Sequence, residues 1–168
     1  MVLKKKLLVD GPVERFAWKN DSKSIIYSQY DLKNENFEIW EASIDGLSKK
    51  QISNSIESEY EPSFSFDGNH IAFHANHSVF ITSSNNFQPK LLLEGAVRPR
   101  WIPKKNLLYV INEEEKGGGY FWARASIVNM EGKIIKTLNP DHVQNVDFSP
   151  DGKYLVYAKN GNLWMEKF

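Results

Sequence analysis

Phe148-Ser149-Pro150-Asp151-Gly152-Lys153-Tyr154-Leu155-Val156-Tyr157 reads as one β-hairpin. A short strand ends on a large aromatic, the chain turns on Ser-Pro-Asp-Gly, and an apolar run of β-branched and aromatic residues follows. The stretch decides the fold because the chain repeats it, and self-similarity at a near-constant period outweighs any single motif.

The copies superimpose on the aromatic before the turn, at Trp18, Phe64, Trp101 and Phe148. A turn follows each anchor: Lys19-Asn20-Asp21-Ser22, Ser65-Phe66-Asp67-Gly68, Ile102-Pro103-Lys104-Lys105 and Ser149-Pro150-Asp151-Gly152. Then come the strands Ile25-Ile26-Tyr27, Ile71-Ala72-Phe73, Leu107-Leu108-Tyr109 and Leu155-Val156-Tyr157. A third apolar run completes the pattern in each copy, ending with Asn162-Leu163-Trp164-Met165 in the fourth. The first three copies add a further turn and a last strand, such as Lys90-Leu91-Leu92-Leu93. The fourth has none before the chain stops at Phe168.

Pro62-Ser63-Phe64-Ser65-Phe66-Asp67-Gly68 with Ile71-Ala72-Phe73, and the matching stretch from Phe148 to Tyr157, resemble the TolB-type, WD40-like β-propeller repeat. The third copy departs from the pattern, with Pro103-Lys104-Lys105-Asn106 in place of a Pro-Asp-Gly turn. The resemblance implies an all-β propeller of four four-stranded antiparallel blades around an axis. The expected blades are about 13–53, 59–94, 97–138 and 143–168, all in one domain spanning 1–168. Lys6-Leu7-Leu8-Val9-Asp10-Gly11 is worded like Lys90-Leu91-Leu92-Leu93-Glu94-Gly95, so residues 3–9 are expected to complete the last blade. That pairing removes an open edge. It closes the ring within one chain as a monomer, or, as the alternative, between two chains as an eight-bladed homodimer.

Composition narrows the role. Twenty-one basic and 21 acidic side chains cancel, which removes the electrostatic footprint of a nucleic-acid or membrane-surface binder. There is no cysteine for disulfide or thiolate chemistry. Lys4-Lys5-Lys6 precedes only the short apolar run Leu7-Leu8-Val9, shorter than the roughly 7–15 residues of a signal peptide, so a cytoplasmic location is expected.

No catalytic signature emerges. His70, His74 and His77 match no zinc-ligand spacing and read as scattered positions of a hairpin, and His142 stands alone in a turn. The Asp-Gly pairs sit between strands, where turns explain them without calcium. No metal or cofactor is expected. Glu59 and Glu61 form a carboxylate pair without a known cleft. Trp18, Trp40, Trp101, Trp122 and Trp164 recur by repeat position and are expected to fill the gaps between blades. Two polar segments, 31–36 and 112–119, read as mobile hairpin tips on the same face of the disc.

Candidate site residues come from the innermost strands. Arg15, Glu61, Arg98 and Asn145 stand three residues before their anchors, and Arg100 and Asp147 stand one before. Equivalent positions face a common axis, so Arg15, Glu61 and Arg98 are expected to meet there, with Arg100 and Asp147 paired. The axial channel mouth formed by Arg15, Glu61, Arg98, Arg100 and Asp147 is the candidate ligand site, its arginines suited to an acidic group. The expected role is a noncatalytic scaffold for a protein partner. The alternative is a small-molecule- or carbohydrate-binding propeller with hydrolase or lyase activity.

Overall fold

A computed structural model describes residues 5–138 and 146–168, with the backbone alone at Trp122 and Ala123. His142 and Asn145 therefore lie outside the described residues. All fifteen elements are β-strands. The first sheet is β1 (Val13–Trp18), β2 (Ser24–Asp31), β3 (Asn36–Ser43) and β4 (Lys49–Gln51). The second is β5 (Tyr60–Phe64), β6 (His70–Ala75), β7 (Ser78–Ser83) and β8 (Lys90–Glu94). The third is β9 (Ala96–Trp101), β10 (Leu107–Lys116), β11 (Gly119–Asn129) and β12 (Ile134–Thr137). The fourth is β13 (Val146–Phe148), β14 (Tyr154–Lys159) and β15 (Asn162–Lys167). Each sheet is an antiparallel meander in sequence order, the signature of propeller blades.

The blades stack by alternating faces. Along a strand successive side chains point to opposite sides of the sheet, so each blade has one face toward its predecessor and one toward its successor. Ile26 and Ile39 of the first blade meet Phe64, Ile71 and Phe73 of the second. Ala72, Val79 and Ile81 of the second meet Leu108, Val110 and Val128 of the third. Ile102, Tyr109 and Ile111 of the third meet Val146, Leu155 and Tyr157 of the fourth. Polar links cross the same seams: Lys19 Nζ sits 4.7 Å from the Phe64 ring centroid, and Trp101 Nε1 donates to the Ser63 carbonyl at 3.2 Å.

The turns hold themselves together locally. Ser65 Oγ donates to Asp67 Oδ1 at 2.5 Å, Asn69 N–H donates to the same oxygen at 3.0 Å, and His70 N–H donates to Ser65 Oγ at 3.0 Å. Ser149, Asp151, Lys153 and Tyr154 repeat that network in the fourth blade. Gly152 also needs its missing side chain: at φ +68°, a Cβ there would lie 2.1 Å from the Pro103 carbonyl oxygen of the preceding blade.

Four expectations are corrected. The fourth sheet has three strands, and residues 5–12 do not join it. They lie against the first blade instead, where Lys6 donates to the Asp45 carbonyl, Gln29 Nε2 to the Asp10 carbonyl at 2.6 Å, and Tyr30 N–H to the Pro12 carbonyl at 3.0 Å. No closed ring forms among the described residues, because these contacts hold the segment at the opposite end of the stack from β15. Segment 112–119 is no loose loop: β10 and β11 stay paired out to Lys116 and Gly119, making a projecting hairpin arm. Trp18 and Trp164 do not fill gaps between blades, being 59% and 51% exposed at the two ends of the stack.

Candidate functional site

Three inner strands carry a register break at the same repeat position. It falls between Val13 and Phe16 in β1, between Tyr60 and Ser63 in β5, and opposite Tyr109 and Ile111 in β9. Glu61 and Arg98 occupy the left-handed region there, at φ 52° and 56°. Such bulges bend a strand and re-aim a side chain, and strained backbone of this kind concentrates at functional positions.

The bulges bring Arg15, Glu61 and Arg98 together. Arg15 Nε lies 3.3 Å and Arg98 Nε 3.6 Å from Glu61 Oε1, while His74 Nδ1 lies 3.9 Å from Glu61 Oε2. Burial raises the Glu61 carboxyl above its ordinary range and outweighs the opposing pull of Arg98, Arg15 and Arg100. Burial first, then the charges of Arg98 and His77, push His74 down to about 4. His74 is therefore neutral at pH 7, and its approach to Glu61 is not a charged pair there. Its buried Nδ1 has no hydrogen-bond partner.

Arg100 and Asp147 do not pair. Arg100 Nη1 donates to the Val146 carbonyl at 3.1 Å, and Asp147 Oδ1 accepts the Phe148 N–H at 2.9 Å. One backbone carbonyl across the seam between the third and fourth blades takes the guanidinium where a carboxylate was expected.

The cluster separates two openings. One cavity of about 640 Å³ includes Arg15, Glu61, His74, His77, Arg98 and Glu113 in its wall. A second of about 330 Å³ shares Arg15, Glu61 and Arg98 and adds Pro62, Ser63 and Arg100. Apart from the walls of both cavities, Glu38 of β3 and Glu59, just before β5, form a buried carboxylate pair. Glu38 is fully buried and accepts from Ser53 Oγ at 2.6 Å and Ser55 N–H at 2.9 Å. Glu59, 4% exposed, has one unpartnered oxygen; burial chiefly, with the Glu38 charge adding, raises it to about 7.

Sequence reading missed the histidines of this wall. His74 pairs with Tyr60 across β5 and β6 and stacks on its ring, with centroids 5.6 Å apart. Asn76 and His77, both at positive φ, form the two-residue turn between β6 and β7, as a type I′ hairpin requires. That turn carries His77 to Glu113, Nδ1 to Oε2 at 2.6 Å, and onto the Tyr120 ring at 3.9 Å between centroids. The adjacency of His74 to Glu61 was legible from strand pairing; the reach of His77 to the next blade was not. Among the described residues no cluster of metal-ligating side chains occurs.

No family model and no curated protein matches the sequence. Solved structures do. The chain is similar to TolB of Agrobacterium tumefaciens, at TM-score 0.66 and 16% identity over 79% of this chain and 52% of that one. It is similar to TolB of Acinetobacter baumannii, at TM-score 0.67 and 19% identity over 94% of this chain and 41% of that one. An acylaminoacyl peptidase of Pyrococcus horikoshii follows at TM-score 0.54 and 16% identity, over 86% of this chain and 30% of that one. The fold is thus of TolB type, a propeller-like stack of β-sheets. The chain spans about half the length of these structures or less.

Proposed function

We propose that the protein is a noncatalytic binding scaffold that takes up a protein partner on the disc face where the larger cavity opens. One observation carries this reading: the charged cavity has an exposed apolar rim. Ile56 on its wall is 95% exposed, and Tyr120, stacked on the wall residue His77, is 51% exposed. Exposed apolar groups gathered beside a polar pocket mark protein-binding surfaces, and aromatic side chains supply most of the energy at such sites. Arg15 and Arg98 add a place for an acidic side chain of the partner.

The unpartnered Nδ1 of His74, a residue of the cavity wall, favours a second reading, a small polar ligand held inside the cavity. One comparison separates the two. The full chain, Tyr120→Ala and His74→Gln serve in turn as baits for partners from the source cell, with the melting temperature of each recorded. A protein bound by the parent chain and lost at least tenfold in Tyr120→Ala, at unchanged melting temperature, supports the scaffold. Equal capture by both sinks it. A low-molecular-weight ligand that co-purifies with the parent and is lost only in His74→Gln supports the second reading.

A further inference from the structure

We infer that the open end of the stack at the fourth blade is a docking surface for a second copy of this chain, which donates residues 6–9 as the missing fourth strand. The two ends of the stack are unfinished in complementary ways. β15 has no neighbour on its outer side among the described residues, whereas each of the other blades has a fourth strand there. Its successor face bears Leu163 at 77% exposure, Met165 at 65% and Tyr154 at 38%. The first blade, at the other end, leaves Phe16 67% and Trp18 59% exposed. Every internal seam joins a successor face to a predecessor face, so these two ends meet only head to tail, as successive blades do.

The repeat fixes the register. The two-residue turns Asn76-His77 and Asn160-Gly161 place Ser78 and Asn162 at equivalent starts of β7 and β15. In the second blade Val79 pairs with Leu93, Phe80 with Leu91 and Ile81 with Lys90. Lys6-Leu7-Leu8-Val9 matches Lys90-Leu91-Leu92-Leu93 position by position. Transferred to the fourth blade, Leu163 faces Val9, Trp164 faces Leu7 and Met165 faces Lys6 of the incoming copy. Residues 5–10 form no strand of their own and Leu7 is 76% exposed, so docking exchanges the contacts of Lys6 with Asp45 and of Asp10 with Gln29 for pairing along β15.

A polar contact agrees with this register. Trp101 donates its indole N–H to the Ser63 carbonyl of the preceding blade. Trp18 is its repeat equivalent and Asp147 that of Ser63, so in the docked pair the Trp18 indole reaches the Asp147 carbonyl. Such an interface is heterologous, and a heterologous contact either closes on itself or propagates. Two copies of four blades each make eight, within the 4–8 range of propellers, and reciprocal exchange then leaves no free edge.

The chain has no cysteine, which makes the test clean. Leu7→Cys and Trp164→Cys, both at exposed positions, are prepared as separate variants of the full chain, mixed and oxidised. A disulfide-linked pair forms in the mixture and in neither variant alone, and light scattering of the unmodified chain gives twice the 19.4 kDa of one copy. Leu163→Asp lowers the cross-linking yield at least tenfold while leaving the circular-dichroism spectrum of the folded chain intact. No cross-link in the mixture, or a disulfide in the double variant that leaves the mass at one copy, overturns the inference. In the double variant, a ladder of longer cross-linked species overturns the two-copy closure.

Discussion

The second and fourth blades share their grammar yet hold their side chains very differently. Val79 and Ile81 of β7 are 0% and 7% exposed; their repeat equivalents on β15, Leu163 and Met165, are 77% and 65% exposed. Both strands pair with the strand before them in the same register, from a two-residue turn. The difference lies in what stands beyond: the third blade covers β7, and no described residue covers the successor face of β15. In repeat architectures stability is a sum of unit and neighbour terms, so an end blade keeps its hairpins and loses half its packing.

The largest test of that contrast is a matched pair of truncations. Ile81→Ala should lower the unfolding free energy by about 3–4 kcal/mol, through lost transfer energy and a residual cavity. Met165→Ala should change it by less than about 0.5 kcal/mol in the isolated chain, as expected of an exposed position. Urea titrations of both variants at a low concentration check this. Equal losses would mean that β15 is as well covered as β7.

Buried titrations mark the same asymmetry, because Glu59 and His74 belong to the second blade and, among the described residues, the fourth holds no buried group so shifted. Between about pH 4.5 and 7, folded Glu59 keeps a proton that the unfolded chain has lost, so its contribution to stability falls as pH rises. Between about pH 4 and 6.5 the unfolded chain holds a proton on His74 that the folded state lacks, so that contribution rises with pH. The two slopes oppose each other over most of the window. Glu59→Gln removes the falling contribution of that carboxyl, so its stability relative to the parent should shift by about 3 kcal/mol in its favour from pH 4 to pH 8. In His74→Gln the falling slope remains. Parallel stability-versus-pH curves for parent and variants would show that neither group is buried as described.

The smallest effect should be the same in both blades. Ser65→Ala and Ser149→Ala each remove a hydroxyl that accepts an N–H within its own turn and donates to the turn aspartate. Each should cost about 1 kcal/mol, the two values agreeing within a few tenths. Thermal melts of the two variants make the comparison. A loss confined to Ser65 would show that the turn depends on neighbouring blades after all.

Much of the candidate site was legible for the same local reason. Arg15, Glu61 and Arg98 stand at one repeat position, and equivalent positions of successive blades face one axis, so their meeting followed from the alignment of anchors. The failure at Arg100 has a plain cause. Repeat position gives the direction in which a side chain leaves the strand, while the nearest acceptor across a seam, here the Val146 carbonyl, depends on how two blades settle together. His77 was missed because its parity reverses at a two-residue turn, and its partners Glu113 and Tyr120 lie on another blade.

By itself the sequence determined the hairpins. Turn chemistry such as Ser65-Asp67-Asn69, strand alternation, and the recurrence of an aromatic before each turn act over a few residues and need no distant partner. The tertiary structure decided what lies at the ends and on the axis. Residues 6–9 carry the wording of a fourth strand, yet a strand is realised only beside an unpaired edge, and this segment is held against the first blade by Asp45, Gln29 and Tyr30. Glu59 and His74 likewise look ordinary in the chain. Their shifted proton affinities arise from desolvation, a property of everything packed around them rather than of any neighbour in sequence.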